Sequence, residues 1–211
     1  MEWKKTLLII LVTSSTFLTV SAQSNLVIRI EDHFINNSQK WAEHVYSTGS
    51  AKIEREEYVI ECTTEKSYSS WKKFLIDTTK DFILSCKTTW LDGVRNHAYG
   101  LMFGRSEQGN YYCFGIDGMG SYVFYKYENG ESKNIISWTK SDFINKEGMN
   151  QVKIIKQGNS LHFFINNNFV NQSTFSEFYG SYVGFIVANK QKIAFDDFLI
   201  GWGGSYESSK K

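Results

Sequence analysis

Residues 99–130 read YGLMFGRSEQGNYYCFGIDGMGSYVFYKYENG. The stretch divides into three strands separated by two glycine turns, carries aromatics on both faces and contains no proline, so it reads as a half-buried antiparallel meander. Side chains alternate across a strand. If the turn at Gly118-Met119-Gly120 pairs Ile116 with Tyr122, then Tyr112, Phe114, Ile116, Tyr122, Phe124 and Lys126 share one face. Tyr111, Cys113, Val123, Tyr125 and Tyr127 share the other. The first set suits a core. The second is a tyrosine platform that either stacks against a sugar ring or a protein surface, or packs across strands with its hydroxyls half wet. A turn one residue shorter exchanges the sets.

The same period continues outward. Asp81 to Trp90 places Phe82, Leu84, Cys86 and Trp90 on one side and Ser85, Lys87 and Thr89 on the other, and Tyr58 to Cys62 repeats the pattern. Residues 150–157, 161–166, 182–189 and 192–200 are further runs rich in Val, Ile and Phe. Turn signals such as Asn129-Gly130, Gly158-Asn159 and Asn166-Asn167-Asn168 separate them. About a dozen strands are expected and no helix beyond single turns near residues 37–43 and 139–145. The chain has 0 Pro, where average usage of about 5% would supply roughly ten. Proline-rich linkers are thereby excluded, and one domain over residues 23–202 with a flexible tail over 203–211 is expected. Many evenly spaced strands argue for an all-β sandwich or barrel.

Residues 1–22 read as a cleaved signal peptide. Lys4 and Lys5 precede a short apolar run, and Val20-Ser21-Ala22 offers small residues for the peptidase. Without it the chain holds 21 Lys and Arg against 21 Asp and Glu. A neutral chain with no basic run has no electrostatic footprint for nucleic acid, and no later segment is apolar enough to span a bilayer. The expected location is secreted, periplasmic or cell-surface. Cys62, Cys86 and Cys113 allow at most one internal bridge and otherwise serve as small buried apolar side chains.

Several short motifs, in order, resemble one superfamily. They are Tyr99-Gly100-Leu101-Met102-Phe103-Gly104, then 110–116 (NYYCFGI), Gly120-Ser121-Tyr122 with Lys126, Ile136-Ser137-Trp138-Thr139, 161–166 (LHFFIN) and 194–198 (AFDDF). Together they are similar to the concanavalin A-like lectin/glucanase superfamily, in particular exported bacterial jelly rolls. The resemblance covers about residues 30–200. It implies a two-sheet antiparallel β-sandwich in which the Asp32-His33-Phe34 region lies close to Asp196-Asp197-Phe198. It also implies a structural role for Asp196 and Asp197, either bonding the N-terminal segment or, with Asp32, holding a calcium ion. It implies no single activity, because the fold serves lectins, glycosidases and interaction modules alike.

Glycosidase chemistry takes two carboxylates flanking the scissile bond. The E-x-D-x-E strand motif expected of glucanases on this fold is missing. The nearest run, Glu54-Arg55-Glu56-Glu57, reads as a solvated strand edge, and adjacent Asp196 and Asp197 should point to opposite faces. His33, His44, His97 and His162 are scattered without metal-ligand spacing. The expected function is a non-catalytic secreted module binding carbohydrate or another extracellular polymer, without a cofactor. Tyr111, Tyr125, Tyr127 and Trp138 are the candidate contacts. The alternative is a structural or protein-interaction module of the cell envelope, and a glycoside-processing enzyme comes last.

Overall fold

A computed structural model describes residues 26–203. Residues 1–25, which include the expected signal peptide, and residues 204–211 of the expected tail lie outside the described residues. Fifteen strands follow in order: β1 (Leu26–Asp32), β2 (His44–Tyr46), β3 (Gly49–Glu54), β4 (Glu57–Cys62), β5 (Ser67–Lys73), β6 (Phe82–Gly93), β7 (Tyr99–Arg105), β8 (Tyr111–Ile116), β9 (Ser121–Glu128), β10 (Glu131–Lys140), β11 (Asn150–Gln157), β12 (Ser160–Ile165), β13 (Asn168–Thr174), β14 (Tyr182–Ala188) and β15 (Gln191–Gly203). They form two antiparallel sheets. One runs β13-β12-β11-β6-β15-β4-β3-β2, with β1 also paired to β15; the other runs β10-β9-β8-β7-β14-β5. No helix occurs among the described residues.

The expected alternation is met where it is clearest in the sequence. Phe82, Leu84 and Cys86 of β6 and Tyr112, Phe114, Ile116, Tyr122 and Phe124 of β8 and β9 all enter one buried cluster between the sheets. Aromatic rings dominate it. Phe185 stacks on Phe195 at 4.4 Å between centroids, and Trp41 lies 5.2 Å from Phe185. All three cysteines are buried and free.

The N-terminal segment closes one end of the core. Asp32 pairs with Phe198 in the β1–β15 ladder. Its carboxylate turns inward, accepting from the Phe34 backbone N–H at 3.0 Å and the Trp41 indole N–H at 2.8 Å. The proximity of 32–34 to 196–198 is as the resemblance implied.

Two local readings change. Arg55 and Glu56 both have positive φ, at 55° and 62°, and Glu54 pairs with Glu57 across them. The acidic run is therefore a tight hairpin turn, which needs left-handed residues, and not a continuous strand edge. At Asp197 a bulge interrupts the β15–β6 register between Asp196 and Leu199, and Asp197 has φ 45°. An extra residue breaks strict alternation, so Asp196 and Asp197 fall on one side together instead of on opposite faces.

The β8–β9 turn has the longer of the two registers considered: Ile116 pairs with Tyr122. Asp117, 6% exposed, builds it. Its Oδ1 accepts from the N–H of Met119 at 2.9 Å and of Ser121 at 2.7 Å, and Gly120 supplies the left-handed residue at φ 85°. Replacing Asp117 with Ala leaves both donors without their acceptor, so urea unfolding of D117A should show a loss of about 2–3 kcal/mol. D117N, which keeps one acceptor oxygen, should recover part of that loss.

Candidate functional site

The face of the six-stranded sheet that points away from the core is built in rows. Strand pairing sets Trp71, Gly184, Met102, Cys113, Tyr125 and Asn134 side by side across β5, β14, β7, β8, β9 and β10. The next row holds Ser69, Ile186, Gly100, Gly115 and Val123. The middle of both rows is low. Met102, Cys113 and Ile186 are buried as a second small cluster, with Tyr111 and Tyr125 packed on it. The glycines beside them let strands approach closely: a Cβ on Gly184 would sit 2.0 Å from the Ser70 carbonyl oxygen, and one on Gly100 2.4 Å from that of Phe114. The outcome is a depression with raised aromatic sides.

A cavity of about 260 Å³ opens on this face, with Val123, Tyr125 and Asn134 of the two rows in its lining. Tyr111, Tyr125, Tyr127 and Trp138 line it, so all four aromatic contacts expected from sequence are brought together. Tyr111 stacks on Tyr127 at 5.2 Å and 16°, and meets Tyr125 edge-on at 6.2 Å. Trp138 is 44% exposed. Polar lining comes from Ser132 and Asn134 of β10 and from Ser67 of β5. Since β5 and β10 are the two edges of the sheet, the sheet curls around the cavity and this face is the concave one. The lining contains no Asp or Glu.

The sequence reading missed Ser67, Ser132 and Asn134 in the lining, and Trp71 and Arg105 on the same sheet face. The strands β5 (SYSSWKK) and β10 (ESKNIISWTK) are edges with little apolar alternation, which is why period-2 counting passes over them. The one available signal was Trp71 itself, a large aromatic amid polar residues.

The tyrosines are not uniform. Burial holds the Tyr111 and Tyr125 hydroxyls well above the usual phenol range, with the neighbouring Cys113 thiol adding to it. Burial likewise pushes the Cys113 thiol up to about 12, so it is a poor nucleophile near neutrality.

A second grouping lies on the outer face of the other sheet. His33 Nδ1 stands 2.6 Å from Asp197 Oδ1, and Lys87 Nζ 2.5 Å from Asp197 Oδ2. Ligand atoms of His33, Asp196 and Asp197 lie within 4.8 Å of one another. Calcium takes about six to eight oxygen ligands. Of the three expected ligands, Asp196 and Asp197 meet, whereas Asp32 spends its carboxylate on the core. The remaining members are an imidazole and an ammonium. This set fits calcium poorly; the Lys87 ammonium neutralises Asp197, and with the His33 imidazole it ties the end of β1 to β6 and β15. The hydrogen bond to Asp197 raises the His33 pKa, and the Lys87 ammonium foremost lowers that of Asp197.

No family model matches the chain, and no curated protein matches it in sequence. Solved structures match it in shape. The carbohydrate-binding module CBM66 from Bacillus subtilis superposes with a TM-score of 0.50 at 19% identity, covering 83% of this chain and 94% of that one. The CBM2 module of an evolved Dit protein of Lactobacillus casei BL23 phage J-1 gives 0.57 at 11% identity, over 87% and 99%. A Bacillus licheniformis β-glucanase gives 0.58 at 9% identity, over 83% and 98%. At these identities the likeness is one of fold.

Because the folded state favours the neutral phenols of Tyr111 and Tyr125, it binds more protons than the unfolded chain once pH exceeds about 10, the ordinary phenol value. Stability contributed by these groups is full below that pH and falls as pH rises above it. Alkaline absorbance titration should show the exposed tyrosines ionising first, with Tyr111 and Tyr125 following only at higher pH. In the variant Y125F the late-ionising fraction should shrink by one tyrosine.

Proposed function

The chain has the concanavalin A-like jelly-roll fold, and we propose that it is a carbohydrate-binding module whose site is the concave cavity. The observation that carries this reading is the convergence of Tyr111, Tyr125, Tyr127 and Trp138 on one depression with Ser67, Ser132 and Asn134 at its sides. Sugar rings present apolar C–H faces and a rim of hydroxyls. Aromatic faces with small polar groups beside them match both features. Two of the fold neighbours are named as carbohydrate-binding modules, which agrees with the proposal. The acid-free lining supports binding without hydrolysis, since cleavage of a glycosidic bond takes two carboxylates. The leader read over residues 1–22 supports action outside the cytoplasm, and the reading needs no cofactor.

An exposed apolar strip favours a protein-interaction reading as the second choice. Val45 and Tyr46 of β2 are 77% and 64% exposed, beside a groove of about 460 Å³ lined by His44, Tyr46, Tyr68 and Trp71.

A glycan array followed by calorimetry on the leading ligand separates the two. Tyr127→Ala and Trp138→Ala are expected to weaken glycan binding by roughly tenfold each, the loss of one aromatic contact, with little change in melting temperature. Undiminished affinity in both variants would move the site elsewhere. Partner capture that depends on Tyr46, without any glycan bound, would replace the proposal by the second reading.

A further inference from the structure

Arg105 reaches the concave face only because the strand is broken beneath it. Between the pairs Gly184–Met102 and Tyr182–Arg105, β7 carries one residue more than β14. Gly104 takes the left-handed conformation there, at φ 60°. A side chain at that position is doubly excluded, since its Cβ would lie 2.7 Å from the Phe178 ring. Strict alternation would send Phe103 and Arg105 to the same side. The bulge instead keeps Phe103 in the core and sends Arg105 outward. Its guanidinium then lies over the Trp71 ring, 3.7 Å from the centroid.

Arg105 is half-buried, and burial works against its charge. Among the described residues no carboxylate comes within ion-pair distance of it. Arg95, by contrast, has Glu147 at 3.2 Å. Among the described residues the Arg105 guanidinium makes one hydrogen bond, from Nη1 to the Ser106 carbonyl oxygen at 2.8 Å. A guanidinium offers several N–H donors in a planar fork suited to oxyanions. Tyr111 of the cavity lining stands beside Arg105 across the β7–β8 turn, which the Ser106 N–H closes on the Asn110 carbonyl oxygen at 2.9 Å. A desolvated cation without a counter-charge is costly, and here it is placed by a bulge, seated on an aromatic ring and left next to an acid-free cavity.

We infer that the concave site takes an acidic glycan, with sugar rings against the tyrosine wall and an anionic substituent, a ring carboxylate or a sulfate ester, on Arg105. The inference rests on the carbohydrate-binding reading and adds the charge class of the sugar. The Trp71 ring supports the guanidinium through a cation–π contact. A neutral glycan would offer hydroxyl oxygens to its remaining donors but no counter-charge.

The test is calorimetry of the full chain against three probes: oligogalacturonate, sulfated galactan oligosaccharides and neutral galacto-oligosaccharides. At least one acidic probe is expected to bind roughly tenfold or more tightly than the neutral one, as a charge-assisted fork contact would give. That advantage should weaken with added salt. Arg105→Gln should bring the acidic probe down to the neutral level, and Arg105→Lys, which keeps the charge but loses the fork, should keep part of the preference. Melting curves confirm that the variants are folded. Preference for oligogalacturonate assigns the carboxylate, and preference for the sulfated probe assigns the sulfate ester. Equal affinity for neutral and acidic probes, with loss on Tyr127→Ala, overturns the charge inference and leaves the sugar site standing. An acidic preference that survives in R105Q overturns it too. Absence of binding to every probe and to the glycan array overturns both.

Discussion

One buried carboxylate sets the identity of both faces of the six-stranded sheet. Asp117 holds the N–H groups of Met119 and Ser121 on a single oxygen, and in doing so fixes Ile116 opposite Tyr122. Every partner further along β8 and β9 follows from that pair. With this register, Phe114 and Phe124 meet Phe163 in the core, at 4.8 and 4.6 Å, while Tyr111 and Tyr127 stack outside. A slip of one residue would exchange the rows, bury hydroxyls without partners and expose phenylalanine. The core and the candidate site are thus two results of one turn, and the penalty for misregistration is steep because both would fail together.

Where the chain alternates strictly, its sequence could be read. The faces of β6, β8 and β9 follow from residue type and period alone, and so does the gathering of three tyrosines on one surface. What could not be read lies where alternation stops. The bulges at Gly104 and Asp197 each insert a residue and reverse a face; a strand glycine can mark a bulge, but Gly100 in the same strand carries the same mark without one, and nothing in the local composition marks the bulge at Asp197. One re-aims Arg105; the other gathers Asp196 and Asp197. The edge strands β5 and β10 were equally opaque, because a strand with one solvated side and one free edge needs no apolar pattern. Long-range closure was legible only through the resemblance, which put residues 32–34 beside 196–198. The use of Asp32 as an internal acceptor for Trp41 depends on tertiary packing and has no local signature.

The charges divide along the same lines. On the outer face of the larger sheet, Asp197 collects His33 and Lys87 into a clamp across three strands, where solvent screens the pairing and makes it modest in energy. On the concave face of the smaller sheet the cation stands on an aromatic ring without an acid. The first arrangement is complete within the chain. The second is complete only with something from outside it.

The depression is floored by backbone as much as by side chains. At Gly100 and Gly184 any added carbon collides with the carbonyl of a neighbouring strand, so its depth cannot be changed by exchanging residues there without re-spacing the strands. Diversification is left to the two margins, β5 and β10, whose solvent-facing positions bear little packing load. Descendants of this chain would therefore change ligand by rewriting two edge strands while inheriting the basin unaltered, and kinship among them would be recorded in the glycines and selectivity in the rim.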